Sequence, residues 1–328
     1  MAWWPTTAEE YRHFALMEAR GRSPLYEQLA LGVAGDRELI GLLSGLPPAK
    51  RQPNLLFAAA RHVGGTPADF PQFRQTVLGN RDAVVATMLA RRTQTNEPAR
   101  CAALYPLLAS LPQPLALVEV GASAGLCLLP DRYGYDFQGR PAGSVDSPVR
   151  LRCRVEGESP LAESGAVSVA WRAGIDLNPL DVTDPDDVRW LQTLVWPEQH
   201  DRLARLNAAV AVAQTQPPRI VPGDLNARLA EVAAQAPSYA TLVVFHTAVI
   251  YYLTDADRAA FVTQVGLLDG HWISQEVVDV LPGVAGRLRQ QPPADTLTYV
   301  VALDENPVAF SAIHGGWIQW LATSAGPS

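Results

Sequence analysis

The sequence predicts an α/β protein. Residues 1–112 read as an all-helical region, and residues 113–328 as a mostly parallel, seven-stranded sheet with a β-ribbon inserted at about 133–157. Three observations carry this. Before residue 112, apolar side chains recur at helical spacing. After it, short Val/Ile/Leu-rich runs alternate with amphipathic helical stretches, the order that builds a parallel sheet covered on both faces. Between the first two runs the period becomes two, in Tyr133, Tyr135, Phe137 and again in Val149, Leu151, Cys153, Val155.

The elements follow in order. Thr7-Ala8-Glu9-Glu10 reads as a capping box opening a helix with Tyr11, Phe14 and Ala15 on one face. Ser23-Pro24 supplies a cap and a first-turn proline for a second helix. Pro47-Pro48 interrupts, and a helix near Pro53 carries Leu55, Leu56 and Ala59. Residues 70–78 and 81–91 fit further helices, and Asn96-Glu97-Pro98 starts one that Pro106 kinks. The first strand is 115–120, with a helix at about 123–129 that Pro130 stops. A second strand covers 167–171 and leads to Gly174-Ile175-Asp176. Asp184 caps the next helix, and another runs over about 199–213. The third strand is 219–221, a helix follows near 225–235, and the fourth strand, 241–245, ends at His246. A helix covers about 255–268 and a fifth strand 272–274. Finally, 298–303 and 308–313 form a hairpin around Asp304-Glu305-Asn306-Pro307.

Composition narrows the function classes. The chain has 328 residues, is 48% hydrophobic and 18% charged, and carries a net charge of −7. Residues 1–112 hold 12 basic and 9 acidic side chains, and residues 113–328 hold 14 and 24, so the halves carry +3 and −10. An acidic second half disfavours nucleic acid as a partner, since such binding rests on neutralising phosphates. The start of the chain has no apolar signal-like core, and the stretch 242–253 is too short to span a bilayer, so no membrane partner is expected. Cys101, Cys127 and Cys153 stand far apart without metal-ligand spacing; a reducing cytoplasm and no metal are expected. The expected partner is a small-molecule substrate, and the sequence is silent on oligomeric state.

Residues 115–126 hold the main candidate site. An apolar run ends in Glu119, small residues turn the chain, and a helical pattern begins. Three readings compete. A dinucleotide turn needs G-x-G-x-x-G, but from Gly121 those positions are Gly121, Ser123 and Leu126. A serine hydrolase elbow, G-x-S-x-G, is matched by Gly121-Ala122-Ser123-Ala124-Gly125, with His314 and Asp304 able to complete a triad on paper. No HGG-type oxyanion loop precedes it. The third pattern, E-x-G-x-x-x-G, is Glu119, Gly121 and Gly125. It resembles the first motif of class I S-adenosylmethionine methyltransferases. The chemistry fits: the cofactor carries cationic groups for an acid and a carboxylate for backbone amides, and no phosphate.

Further stretches strengthen a resemblance at family level: Arg51-Gln52-Pro53-Asn54-Leu55-Leu56-Phe57, Thr93-Gln94-Thr95-Asn96-Glu97, residues 118–126 and Gly174-Ile175-Asp176-Leu177-Asn178-Pro179-Leu180-Asp181. Val244-Phe245-His246-Thr247 and His314-Gly315-Gly316-Trp317 belong with them. Together they resemble a bacterial, mainly actinobacterial, family of unknown function with a methyltransferase-like, Rossmann-like core. The resemblance implies S-adenosylmethionine as cofactor, held by Glu119, Gly121, Ser123, Gly125, Asp176 at the ribose hydroxyls and Asp224 at the adenine. It implies methyl transfer to a small oxygen or nitrogen nucleophile, with His246 as the catalytic base. Gln94, Asn96, Glu97, Arg100, Glu276 and His314 are the candidate substrate contacts. Each has a plainer reading beside it: Asp176 and Asp224 as turn and helix caps, Asn96-Glu97-Pro98 as a helix start, and His246 as a hydrogen-bonded core histidine. The tetrapeptide associated with amine methylation, Asn/Asp-Pro-Pro-Tyr/Phe, is absent; Phe245-His246-Thr247-Ala248 stands there. A second function class is therefore a nucleoside-binding regulatory protein without methyl transfer, and a third the Ser123 hydrolase.

Overall fold

In the computed structural model, residues 6–160, 165–293 and 297–322 are described. Two compact units form, one from residues 1–95 with 184–204, the other from 96–183 with 205–328.

The first unit is helical. Helix α1 (Thr7–His13) is capped by Thr6, whose Oγ1 accepts from the Glu9 amide. The capping box thus lies one residue earlier than the pattern suggests. A π-helical stretch, Phe14–Ala19, precedes α2 (Pro24–Gly35), which starts at the Ser23 cap as expected. Helices α3 (Arg37–Ser44), α4 (Pro53–Gly64), α5 (Phe70–Gly79) and α6 (Arg81–Ala90) follow. Their core forms around Phe57, with the rings of Tyr11, Phe14, Tyr26 and Phe73 centred 4.8–6.0 Å away. Helix α7 (Cys101–Ser110) belongs to the second unit, whereas α8 (Pro185–Leu194) and the start of α9 (His200–Thr215) belong to the first. Arg91 pairs with Asp186 and Asp187, and Arg61 Nη1 donates to the carbonyls of Thr193 and Val195. These long-range contacts, invisible to local pattern, move the boundary from residue 112 to 95.

The second unit holds twelve strands among the described residues: β1 (Leu115–Val120), β2 (Gly134–Phe137), β3 (Arg140–Gly143), β4 (Arg150–Arg152), β5 (Arg154–Glu156), β6 (Val169–Asp176), β7 (Ile220–Pro222), β8 (Thr241–Thr247), β9 (His271–Glu276), β10 (Thr298–Leu303), β11 (Asn306–Ala312) and β12 (Trp317–Trp320). Nine of them form one mainly parallel sheet in the order β5-β12-β11-β10-β9-β8-β1-β6-β7. The sheet has nine strands, not the seven the pattern suggests. The additions are β12, after the Gly315-Gly316 pair, and β5, whose Val155 the period-two run placed in the ribbon. The expected ribbon is a separate sheet, β3-β2-β4. The β10–β11 hairpin turns on Asp304 and Glu305, both at positive φ (50° and 61°), as the primed two-residue turn demands.

Strand β1 is buried along its whole length, as a central parallel strand must be. On one sheet face, Val118, Val120, Ile175, Val244 and Trp272 pack against Leu225 and Leu229 of α10 (Leu225–Ala233) and Phe261 and Val265 of α11 (Asp255–Gly266). Among the described residues no helix is long and apolar enough to cross a membrane.

The helix expected at 123–129 does not form. Gly125 takes a left-handed conformation and only a 3₁₀ turn, Leu126–Leu128, follows before Pro130. Four residues cannot repay helix nucleation. The ribbon ties this stretch down instead: the Tyr133 hydroxyl donates to the Leu126 carbonyl and the Tyr135 hydroxyl to that of Pro130, each at 2.7 Å.

Candidate functional site

The chain leaves β1 for β6 and β7 on one side and reaches β8 and β9 on the other, so strand order reverses between β1 and β8. In open α/β sheets, ligands bind at such a reversal, at the carboxyl ends of the strands. The backbone here is constrained on both sides of it. Gly121 and Gly125 have positive φ (73° and 71°), and so do Ser123 (51°) and Ala248 (58°), residues for which that region is unfavourable. A Cβ on Gly121 would stand 2.2 Å from Val249, and one on Gly125 would stand 2.7 Å from Pro218. Both glycines are required by space as well as by angle.

The turn is folded in on itself. The Gly121 and Ala122 amides donate to the Ile175 carbonyl (2.8 and 3.1 Å), and the Gly125 amide to that of Ala122 (2.7 Å). The Ser123 amide donates to Asp176 Oδ2 (2.8 Å) and the Ala124 amide to Asn96 Oδ1 (3.0 Å). Asn96 Nδ2 donates to Ser123 Oγ (2.7 Å), and Asp176 Oδ1 accepts from the Asn178 amide (2.7 Å). The sequence-picked Glu119, Gly121, Ser123, Gly125, Asp176 and Asn96 therefore come together. Two expectations change. The turn's amides are engaged within the protein, and no helix dipole points at it, so side chains rather than bare amides line this end of β1. Asp224 is the exposed N-cap of α10, its Oδ1 accepting from the Asn226 and Ala227 amides, and the Gly223 amide before it donates to the Asp176 carbonyl (2.9 Å).

Glu119 is 4% exposed and its carboxyl makes no hydrogen bond among the described residues; Oε2 is sealed from solvent. Burial, reinforced by Cys127 and Asp176, pushes its pKa well above the usual carboxyl range, against a lowering by Arg100. Burial likewise lifts the Cys101 thiol well above its usual value.

His246 is fully buried. Its Nε2 accepts from Trp272 Nε1 (3.0 Å), and tryptophan can only donate, so the ring proton sits on Nδ1 and faces Glu276 Oε1 (2.8 Å). Both nitrogens are spent inside the protein, which is the arrangement of a core histidine and not of a base reaching an acceptor. Glu276 Oε1 also accepts from the Val249 and Ile250 amides (2.8 and 3.0 Å), pinning the loop after β8.

Glu97 is tied to Arg205 through both carboxylate oxygens (2.7 and 3.1 Å). Arg100 is 4% exposed; its Nε donates to the Ile313 carbonyl (3.0 Å) and Nη1 to the carbonyl and hydroxyl of Thr247 (3.0 and 3.2 Å). His314 precedes Gly315, where a Cβ would stand 2.5 Å from the Ala99 carbonyl oxygen, so the 313–315 backbone lies directly against the turn that carries Arg100. Gln94 belongs to the first unit.

The hydrolase triad is not assembled. Ser123 Oγ meets the Asn96 amide rather than a histidine, and Asp304 is taken by His271 Nδ1 (2.7 Å) and the Trp272 amide (2.8 Å). Among the described residues no group of three His, Cys, Asp or Glu is gathered as a metal site. A cavity of about 280 Å³ lies by the amino-terminal half of β6, lined by Trp171, Arg172 and Arg219, and one of about 490 Å³ lies between the end of α11 and the start of β9. Neither borders the reversal, where topology and backbone strain concentrate, and strand-end chemistry is the stronger guide to a site. Thr247, Ala248, Gln275 and Tyr299 join the neighbourhood without a sequence signal; only the placement of His246 at a strand end pointed near them.

The fold and site define a mixed α/β protein with a large, mainly parallel sheet and a polar, strained strand-end region at the reversal. The chain belongs to the bacterial family described as "Uncharacterized protein conserved in bacteria (DUF2332)", whose family model matches residues 8–320. No curated protein and no solved structure matches it.

Proposed function

We propose that this chain is an S-adenosylmethionine-dependent methyltransferase acting on a small-molecule oxygen or nitrogen nucleophile, with a Rossmann-like, methyltransferase-like core. The observation that carries the reading is the joining of two strand ends. The E-x-G-x-x-x-G turn after β1 is bonded to the acid ending β6, through the Ser123 amide and Asp176 (2.8 Å). Asp176 keeps partial exposure, and further lone pairs on its oxygens can accept from a ribose diol. The parallel core strands run third-second-first-fourth-fifth in chain order, with the turn at the reversal. Glu119 beside it is a buried carboxyl without a donor, able to accept from a donor group of a ligand. With Glu119, Gly121, Ser123, Gly125 and Asp176 as cofactor contacts, catalysis rests on aligning the acceptor with the sulfonium methyl. Asp224 serves as the adenine contact from its cap position.

One observation favours a second reading, a nucleoside-binding protein without turnover: His246 offers no nitrogen to an acceptor. Calorimetry decides. S-adenosylmethionine and S-adenosylhomocysteine should both bind the intact chain, and Asp176→Ala or Gly125→Val should abolish binding in protein with native near-UV dichroism. Lack of binding by the wild type overturns both readings. Binding without methyl transfer across hydroxyl and amine acceptors selects the second.

A further inference from the structure

Arg100 is the buried charge that the cofactor reading does not use. The residue is 4% exposed, and no ion pair within the described residues neutralises its guanidinium. Isolated buried charges are strongly disfavoured, so one that persists has its attractive field directed at something. Three neutral acceptors hold two of its nitrogens: the Ile313 carbonyl on Nε, and the Thr247 carbonyl and hydroxyl on Nη1. Its central carbon lies 5.6 Å from the centre of the Tyr299 ring, a cation–π contact that favours the charge without cancelling it. The third nitrogen, Nη2, has no hydrogen-bond partner among the described residues, and it is not among the polar atoms sealed from solvent.

The surroundings indicate which half of the site this nitrogen serves. Asp176 and the Gly121 turn lie at the ends of β6 and β1, whereas Arg100 is anchored at the ends of β8 and β11 and beside β10. Thr247 pairs in parallel with Gln275 of β9, so the two side chains share a sheet face. Gln275 donates to Ser311 Oγ (2.8 Å), yet its Oε1 is buried without a donor. An open cationic donor anchored on Thr247 of β8 and an unused buried acceptor on the adjoining strand β9 thus stand at the same sheet edge. Glu119 is within electrostatic reach of Arg100 but makes no hydrogen bond or ion pair with it.

We propose that Arg100 is a carboxylate-binding residue, with Nη2 receiving the anionic group of a bound small molecule and Gln275 Oε1 accepting from a donor next to that group. The inference rests on the proposed cofactor site only for the question of whose carboxylate it is. The amino-acid tail of an S-adenosyl compound and an anionic methyl acceptor present the same group. Recognition of this kind is charge-assisted, and losing it costs about tenfold or more in affinity.

The test uses the full chain and three probes at constant ionic strength: acetate, S-adenosylhomocysteine and 5′-methylthioadenosine, which lacks the amino-acid tail. Arg100→Met should weaken acetate binding about tenfold or more, with Arg100→Lys recovering part of the loss. If Arg100→Met also weakens S-adenosylhomocysteine but leaves 5′-methylthioadenosine unchanged, the carboxylate is the nucleoside's own. If S-adenosylhomocysteine is unchanged, it is the acceptor's. Failure of both nucleosides on the wild type removes the methyltransferase reading and leaves the acetate arm to judge Arg100 alone. A folded Arg100→Met that binds acetate like the wild type overturns the proposal. Should Arg100→Met not fold, a bromide soak of wild-type crystals decides: an anomalous peak beside Nη2 is expected, and its absence overturns the proposal.

Discussion

Glu119 and Glu276 end the two strands that flank β8, and they are almost equally buried, at 4% and 2% exposure. Their surroundings are opposite. Glu276 gathers three donors on Oε1, from His246 Nδ1 and two backbone amides, and so acts as the clasp that holds the loop after β8. Glu119 gathers none, and burial raises its pKa well above the usual carboxyl range. Oε2 of both is buried without a partner, so the difference lies in Oε1: that of Glu276 is consumed by the fold, and that of Glu119 takes no donor. In a buried site, the unsatisfied acid is the better marker of function, because every satisfied hydrogen bond already accounts for its residue.

Removing Glu276 should give the largest effect. Glu276→Ala leaves the His246 ring proton and the Val249 and Ile250 amides facing a void, an expected loss of about 3–5 kcal/mol in urea unfolding. Glu276→Gln, which keeps an acceptor oxygen, should lose clearly less. Equal losses would mean that packing, not the clasp, explains the position, and the contrast with Glu119 would fail.

Gly121 is next. Alanine there must keep a φ of 73° with its Cβ 2.2 Å from Val249, so Gly121→Ala should cost about 2–4 kcal/mol. Adding Val249→Ala removes the clash but not the backbone strain, so the double variant should regain part of the loss. Complete recovery would show that Gly121 serves packing alone.

These positions also show what was legible in the sequence. The alternation of strands and helices after residue 113 was readable, because each apolar run carries its own turn residues and caps: Asp184 and Asp224 cap where the pattern put them. The strand-end chemistry was readable in kind. Glu119, Gly121, Ser123, Gly125 and Asp176 do meet, since β1 and β6 are parallel neighbours whose ends lie side by side. The missing helix after β1 was not legible. Residues 126–129 have helical composition, and only the ribbon tyrosines and Pro130 determine their fate. The role of His246 was equally hidden, because Trp272 and Glu276, which consume its two nitrogens, come from β9, 26 and 30 residues away. The compact units divide at residue 95 for a reason equally remote in sequence: Arg91 finds Asp186 and Asp187 across 95 and 96 residues.

The smallest expected effect is the most specific to Glu119. Its folded pKa is raised above the unfolded value near 4.5, so the folded state holds a proton that the unfolded state gives up first. That contribution is fully present below pH 4.5 and is lost as pH rises through the folded pKa, at up to about 1.4 kcal/mol per pH unit. Glutamine copies the protonated carboxyl and does not titrate. Glu119→Gln should therefore match the wild type near pH 4 and become progressively more stable than it toward pH 8, measured by urea unfolding at each pH. If the Glu119→Gln difference stays flat with pH, the carboxyl is ionised and partnered, and the asymmetry between the two glutamates disappears.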